Sequence, residues 1–152
     1  MLIIGIDPGP KESSYVAWDG ENVLDYGDRS NEQLIPFIRL YQDDLTLGSA
    51  RIAIEQIRGF GVIGSNDLFD TVFWSGRFYE AWGPQNCILV PRKEASRHIC
   101  GPESKGGDKF IREALIARIG PQGSKKAPGP TYGLAKHRWA ALAVAVTARD
   151  RL

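Results

Sequence analysis

Two short apolar runs, each ending in a single acidic residue, stand out in the hydrophobic pattern of the chain. Residues 2–6 consist of leucine, isoleucine and one glycine, and Asp7 follows them directly, before a Pro-Gly pair. Residues 51–56 repeat the arrangement, with Glu55 near the end. Apolar runs of this length, bounded by turn residues, predict strands that are covered on both faces. We therefore expect Asp7 and Glu55 at the carboxyl ends of two buried strands.

The remaining pattern predicts an α/β domain. Residues 13–19 and 22–27 flank Asp19-Gly20-Glu21, a sequence typical of a hairpin turn. Three antiparallel strands therefore open the fold before the strand of Glu55, which continues into parallel crossovers. A fifth strand is expected at 86–90. Helical spacing predicts five helices, whose caps or first residues are Ser30, Asn66, Arg92, Asp108 and a residue near Leu134.

Two of these helices carry further information. The first has an apolar stripe that continues to Leu45 and is expected to end by Gly48. The second, at 66–82, has an apolar stripe rich in aromatic residues that is too wide for one sheet face, and Gly76 within it would permit a close approach. The second helix therefore packs either on the core alone or on the core and a second copy of the chain.

Composition indicates a single globular domain without a membrane segment. The 152 residues are 43% apolar and 24% charged, as is usual for one domain. No apolar run reaches membrane-spanning length and no segment resembles a secretion signal, so we expect a cytosolic protein. Cys87 and Cys100 lack the spacing of a zinc site and are expected to be reduced.

The charges are distributed unevenly along the chain. Residues 1–91 contain 6 basic and 13 acidic side chains, whereas residues 92–138 contain 11 basic and 4 acidic ones. A basic half can neutralise phosphate groups, and the proline-stiffened loop with Lys125 and Lys126 suits a phosphate backbone. A plain solvated surface is the alternative interpretation.

The two strand-end acids suggest a metal site. An acid in a buried strand needs a positive or hydrogen-bonding partner, because the burial of a charge is costly. Two acids on neighbouring strands would supply hard oxygen ligands, which suit Mg²⁺. Asp7 alone is equally compatible with a turn-initiating role before Pro8 and Gly9. The metal hypothesis therefore depends on the pairing of Asp7 with Glu55.

Three segments carry a family resemblance: Ile4–Gly9, Ile54–Gln56 and Lys136–Ala143. Together they resemble the RuvC-like resolvases of the ribonuclease H superfamily, and the short phage-type members in particular. The resemblance spans nearly the whole chain and implies one RuvC-like nuclease domain over residues 1–152. It implies a ribonuclease H-like α/β fold, with a five-stranded mixed sheet flanked by helices. It also implies an endonuclease that depends on Mg²⁺, with Mn²⁺ as a substitute, and resolves Holliday junctions or other branched DNA.

The resemblance also implies roles for particular residues. His137 matches the first of two metal ligands on the last helix, whereas Ala140 stands where the family has an acid. Asp108 is our candidate for replacing that acid, with helix capping as its alternative role. Related sequences have a catalytic lysine where this chain has Ser96. The expected metal ligands and catalytic residues are Asp7, Glu55, His137 and Asp108.

Branched DNA and a second copy of the chain are the expected partners, and no membrane is. In the family an aromatic residue at the position of Phe60 stacks on bases at the junction centre, although a loop aromatic can also fold back onto the core. The family forms homodimers through the helix equivalent to 66–82. The expected DNA contacts are Arg58, Phe60, Arg92, Lys93, Arg97, Lys105, Lys109, Lys125, Lys126, Lys136 and Arg138.

Two other functions are compatible with parts of the sequence. Ala140 could mark a degraded site in a protein that binds junctions without cutting them. The segment Gly5–Gly9 also resembles the phosphate loop of actin-like phosphotransferases. Those enzymes need two copies of the fold and a second glycine-rich phosphate motif, and this chain has neither.

Overall fold

The computed structural model of the chain describes residues 1–43, 50–59 and 64–152. The strands are β1 (Ile3–Asp7), β2 (Glu12–Trp18), β3 (Val23–Ser30), β4 (Arg51–Gln56) and β5 (Cys87–Pro91). The helices are α1 (Asn31–Asp43), α2 (Asn66–Trp82), α3 (Arg92–Cys100), α4 (Asp108–Ile119) and α5 (Arg138–Arg149). No helix in these ranges is long and apolar enough to cross a membrane.

The strands form one mixed sheet in the order β3-β2-β1-β4-β5. The pairs β1–β2 and β2–β3 are antiparallel, while β1–β4 and β4–β5 are parallel. This arrangement confirms the predicted five-stranded mixed sheet, in which three antiparallel strands precede the parallel ones. The two strands that carry the acids, β1 and β4, are neighbours at its centre.

Helices cover both faces of the sheet, so β1 is buried on both sides. Ile4 and Ile6 pack with α1 and α2, whereas Ile3 points into the core beneath α5. Helix α5 is itself almost entirely buried, with residues 141–148 enclosed. A helix that is apolar all round belongs in a protein interior, and α5 occupies that place here.

A glycine sets the distance between α5 and the central strand. A β-carbon at Gly5 would collide with the backbone carbonyl of Ala141. Only glycine permits this close approach of two backbones. The contact holds α5 against the middle of β1, two residues from Asp7 and one helical turn from His137.

The ends of several helices differ from the prediction. Ser30 does cap α1, since its Oγ accepts from the Gln33 N–H at 3.4 Å. The end of α1 predicted near Leu45 and Gly48 lies outside the described residues. Ser65, not Asn66, caps α2, because its Oγ accepts from the Leu68 N–H at 3.3 Å.

The last helix begins later than predicted. It starts at Arg138 rather than near Leu134, and turns precede it. Gly133 has a φ of 80° and Lys136 a φ of 50°, and a right-handed helix cannot continue through such residues. The N-cap of α4 is Gly107, and the Asp108 carboxylate accepts from Arg92 instead, so the predicted role of Asp108 as a helix cap is wrong.

Helix α2 leaves part of its apolar stripe open to solvent. Thr71, Phe78 and Trp82 are buried, whereas Phe69 and Phe73 are 63% and 62% exposed. The sheet therefore covers only one side of this helix, as the width of the apolar stripe suggested.

Candidate functional site

Asp7 and Glu55 lie side by side at the carboxyl edge of the sheet. Ile6 of β1 pairs with Ile54 of β4 in parallel register, so the next residue of each strand reaches the same edge. Asp7 is 7% exposed and Glu55 is 6% exposed. Two carboxylates are therefore buried next to each other, at the sheet edge where the sequence predicted them.

Two basic side chains approach this pair. His137, the residue just before α5, lies with its Nδ1 2.9 Å from Asp7 Oδ2. Arg92, the first residue of α3, lies with Nη1 3.5 Å from Glu55 Oε1 and with Nη2 3.0 Å from Asp108 Oδ1. Three of the predicted metal ligands thus have basic partners here: Asp7 pairs with His137, the fourth predicted ligand, while Glu55 and Asp108 share Arg92.

Burial dominates the electrostatics of the two acids. It raises the pKa of Glu55 to about 7, and the neighbouring charge of Asp7 adds to the shift, while Arg92 acts against it. Burial also raises the pKa of Asp7, despite the opposing effects of His137 and Arg92. Two desolvated like charges of this kind favour protonation or a bound cation.

Asp108 and Ala140 share a recess. Arg92, Asp108, His137 and Ala140 line this recess between the starts of α3, α4 and α5. The Asp108 side chain is 79% exposed, and its partner is Arg92 alone among the described side chains. An acid is therefore present beside position 140, although it comes from another helix.

The donor set fits a divalent cation in part. Asp7 and Glu55 offer hard oxygens. Burial raises the pKa of both carboxyl groups, and the basic neighbours offset this rise only in part. Within residues 1–43, 50–59 and 64–152 no three histidine, cysteine, aspartate or glutamate side chains are already gathered as ligands. A third ligand from His137 or Asp108 would therefore require a side-chain rearrangement.

A basic cleft opens from Glu55. It has a volume of about 730 Å³ and runs between the end of β4, α3 and the loop before α4. Apolar side chains, among them Ile57 and Ile111, line part of its wall, and Ser96 belongs to the same wall. Five predicted DNA contacts line it together: Arg58, Arg92, Lys93, Arg97 and Lys105.

The loop that carries Lys125 and Lys126 is anchored at the other end of the sheet. The N–H of Val23, the first residue of β3, donates to the carbonyl of Pro130 at 2.9 Å. Because β3 and β1 run in the same direction, Val23 lies at the edge opposite to Asp7. The loop with these two lysines is therefore anchored away from the cleft, and neither lysine lines it. Their contact with DNA stays a prediction.

Other predicted contacts have intramolecular partners. Arg138 Nη2 donates to Asp28 Oδ2 at 2.8 Å, and Lys109 forms an ion pair of 3.9 Å with Glu113. Arg138 therefore ties the start of α5 to β3 in addition to any role with DNA. Phe60 lies outside the described residues.

Lys136 has a backbone conformation that the sequence did not reveal. Its φ of 50° is the only left-handed value at a non-glycine residue in the described ranges. Such conformations are strained and cluster at functional sites. Here the strained residue immediately precedes His137 and lines the recess with Asp108 and Ala140.

The raised pKa of Glu55 predicts a pH dependence of stability. Folding raises this pKa from 4.5 to about 7, so between these values the folded protein holds a proton that the unfolded chain has released. Stability must therefore fall as pH rises through this window, by about 3 kcal/mol at most. Glu55→Gln removes the titrating group, so urea unfolding in EDTA should show the variant gaining stability over wild type from pH 5 to pH 8.

Glu12→Gln is the matched control, because Glu12 is exposed at the start of β2. Its free energy of unfolding should follow the wild-type pH profile. A profile of Glu55→Gln that runs parallel to wild type would contradict the raised pKa.

Comparison with known proteins identifies the fold. No model of a known protein family and no curated protein matches the sequence. Among solved structures, Thermus thermophilus RuvC aligns over 99% of this chain and 97% of its own, with a TM-score of 0.66 and 15% identity. T. thermophilus RuvC in complex with a Holliday junction substrate aligns over 97% and 92%, with a TM-score of 0.64 and 14% identity. The chain therefore has the ribonuclease H-like fold of RuvC over its full described length.

Proposed function

We propose that this protein is a metal-dependent endonuclease that cuts branched DNA, with the four-way Holliday junction as its preferred substrate. The observation that carries the proposal is the pair of buried carboxylates, Asp7 and Glu55, of which Glu55 lines a cleft together with five basic side chains. Acids that face one another beside a phosphate-binding surface are the arrangement expected for metal-assisted phosphodiester hydrolysis.

The choice of substrate has two supports. One structural neighbour, T. thermophilus RuvC, is in complex with a Holliday junction substrate. The cleft supplies positive side chains where a DNA backbone would pass the acids, and basic residues account for most sequence-independent affinity for DNA. Phe60 is proposed to stack on bases near the branch point.

Mg²⁺, or Mn²⁺ in its place, is the proposed cofactor. Asp7 and Glu55 would hold it, with His137 and Asp108 as the further ligands. Such an ion, when bound, activates a water molecule and stabilises the leaving oxygen of a phosphodiester. The protein contributes the rest: His137 orients the Asp7 carboxylate through the 2.9 Å contact. The basic side chains of the cleft hold the DNA backbone in line with the acids.

A homodimer through α2 completes the proposal. Phe69, Val72 and Phe73 form an exposed apolar surface on this helix, with exposed fractions of 63%, 48% and 62%. Contiguous exposed apolar residues commonly mark protein interfaces. Two copies would present two acid pairs, which is what paired cuts in a four-way junction require. We propose that the protein meets its DNA in the cytoplasm, or in the host cytoplasm if a phage encodes it.

A junction-binding protein without nuclease activity is the second candidate. Ala140, in the recess beside His137, supports it, because the recess lacks the acid that the family has at this position. The actin-like phosphotransferase is disfavoured, because the described part of the chain contains one five-stranded sheet. Those enzymes need two copies of the fold.

Replacement of the strand-end acids should separate cutting from binding. Asp7→Asn and Glu55→Gln keep the size of each side chain but remove its charge. Both variants should bind a four-way junction with at least wild-type affinity and should cut it more than about 10³-fold more slowly in Mg²⁺. Gel-shift and cleavage assays on matched duplex, flap and four-way substrates measure both properties.

The control is Glu12→Gln, an exposed acid at the same edge of the sheet, which should cut at the wild-type rate. Near wild-type cleavage by either Asp7→Asn or Glu55→Gln would refute the two-acid site. Binding without cleavage by the wild-type protein would establish the junction-binding alternative.

Asp108 can be tested as the replacement for the acid missing at position 140. Since it does not cap α4, Asp108→Asn should leave the melting temperature unchanged but should lower the cleavage rate by about 10² or more. The double variant Asp108→Asn with Ala140→Asp should recover at least part of the rate, because both positions line the same recess.

The corresponding single variant Ala140→Asp shows whether the added acid alone disturbs the site. A wild-type rate for Asp108→Asn would leave Asp7, Glu55 and His137 as a three-ligand site. No recovery in the double variant would show that the two positions are not interchangeable.

The dimer predicts a specific sensitivity of α2. Phe73→Asp places a charge in the exposed apolar surface, so it should convert the dimer to a monomer at micromolar concentration in light scattering. Phe110→Asp is the matched control, because Phe110 is 58% exposed on α4, which covers the opposite face of the sheet. A monomeric wild-type protein, or a dimeric Phe73→Asp variant, would contradict the α2 interface.

A further inference from the structure

We propose that Arg92 is an exchangeable counter-ion of the acid site. In the structure its guanidinium group bridges Glu55 and Asp108; on metal binding it releases both acids and turns to the phosphate backbone in the adjoining cleft. The inference rests on the proposed function and assigns Arg92 a positioning role that couples metal binding to DNA binding.

The position of Arg92 supports the first half of this exchange. Its Nη1 lies 3.5 Å from Glu55 Oε1 and its Nη2 lies 3.0 Å from Asp108 Oδ1. One planar group thus joins a side chain that is 8% exposed to one that is 79% exposed. A guanidinium group is always charged and carries several donors in a fixed fork. It therefore occupies the place at which a cation would meet Glu55 and Asp108.

Charge balance explains why metal and Arg92 exclude each other. Glu55, Asp7 and Asp108 all interact electrostatically with Arg92. A divalent ion held by these acids and the guanidinium group would repel each other, most strongly beside Glu55, whose side chain is 8% exposed. An ion held by Glu55 and Asp108 would therefore compete with Arg92 for these acids.

The surroundings of Arg92 support the second half. Its side chain is 54% exposed and stands at the first position of α3, where one face belongs to the cleft with Lys93, Arg97 and Lys105. A long, partly exposed side chain can change rotamer without disturbing the core. Released from the acids, it has the phosphate-binding wall of the cleft within its reach. Asp108 would lose its partner and become free to act as a ligand.

Metal affinity in the absence of DNA tests the competition directly. Mn²⁺ binding measured by calorimetry or by electron paramagnetic resonance should be roughly 5- to 100-fold tighter for Arg92→Gln than for wild type, because the competing cation is gone. Arg92→Lys should lie between them, since it keeps the charge but loses the fork. Lys93→Gln removes the same charge at the next residue, which has no ion pair in the described ranges, and should change affinity by at most about threefold.

Junction binding tests the coupling. Affinity is measured by gel shift in EDTA and in Ca²⁺, which binds oxygen ligands, with the absence of product checked on a denaturing gel. Ca²⁺ should strengthen junction binding by wild type at least about fivefold more than it strengthens binding by Arg92→Gln. Lys93→Gln should bind junctions more weakly in both conditions while keeping the wild-type response to Ca²⁺.

Each outcome bears on a different part of the proposal. Equal Mn²⁺ affinity of Arg92→Gln and wild type would overturn the exchange and leave the nuclease proposal intact, provided that Asp7→Asn abolishes Mn²⁺ binding. An equal response to Ca²⁺ in both proteins would overturn the transfer of Arg92 to phosphate. Wild-type protein that binds no Mn²⁺ and cuts no junction would overturn the exchange together with the proposed function.

Discussion

Two carboxylates buried side by side impose the main constraint on this molecule. Removing even one ionised carboxylate from water carries a large cost, and the register between β1 and β4 brings Asp7 and Glu55 to the same edge. Basic side chains at that edge offset part of this cost. His137, just before α5, contacts Asp7, and Arg92, the first residue of α3, lies beside Glu55. Burial raises the pKa of both acids despite these partners, so the compensation is incomplete, and the proposed Mg²⁺ would complete it.

Two helices also begin at the sheet edge that carries the acids. The starts of α3 and α5 both lie at the edge with the acids, so their first residues face one small volume. Positive helix termini also favour negative charge. The basic residues of α3 then continue from this volume into the cleft. The acid pair and the basic cleft are thus neighbours because one helix, α3, borders both.

Much of the fold was predictable because it depends on local pattern. Apolar runs ending in Asp7 and Glu55 predicted the central strands, and helical spacing gave α2 its bounds. The start of α5 was not predictable from periodicity, since the left-handed backbone at Lys136 leaves no apolar signature. The capping role expected of Asp108 failed for a different reason: its partner, Arg92, belongs to another element, and capping rules consider only the local chain. The anchorage of the Lys125 loop at the opposite edge likewise depends on a tertiary hydrogen bond to Val23.

The contact between Gly5 and the Ala141 carbonyl makes the position of His137 depend on the number of residues that separate it from Ala141. Because α5 cannot slide or rotate against β1 at that point, the direction of His137 is set by the number of residues between 137 and 141. One inserted residue would turn His137 by about 100° around the helix axis and move it about 1.5 Å along it. A change in length within the first turn of α5 would therefore leave Asp7 without its histidine.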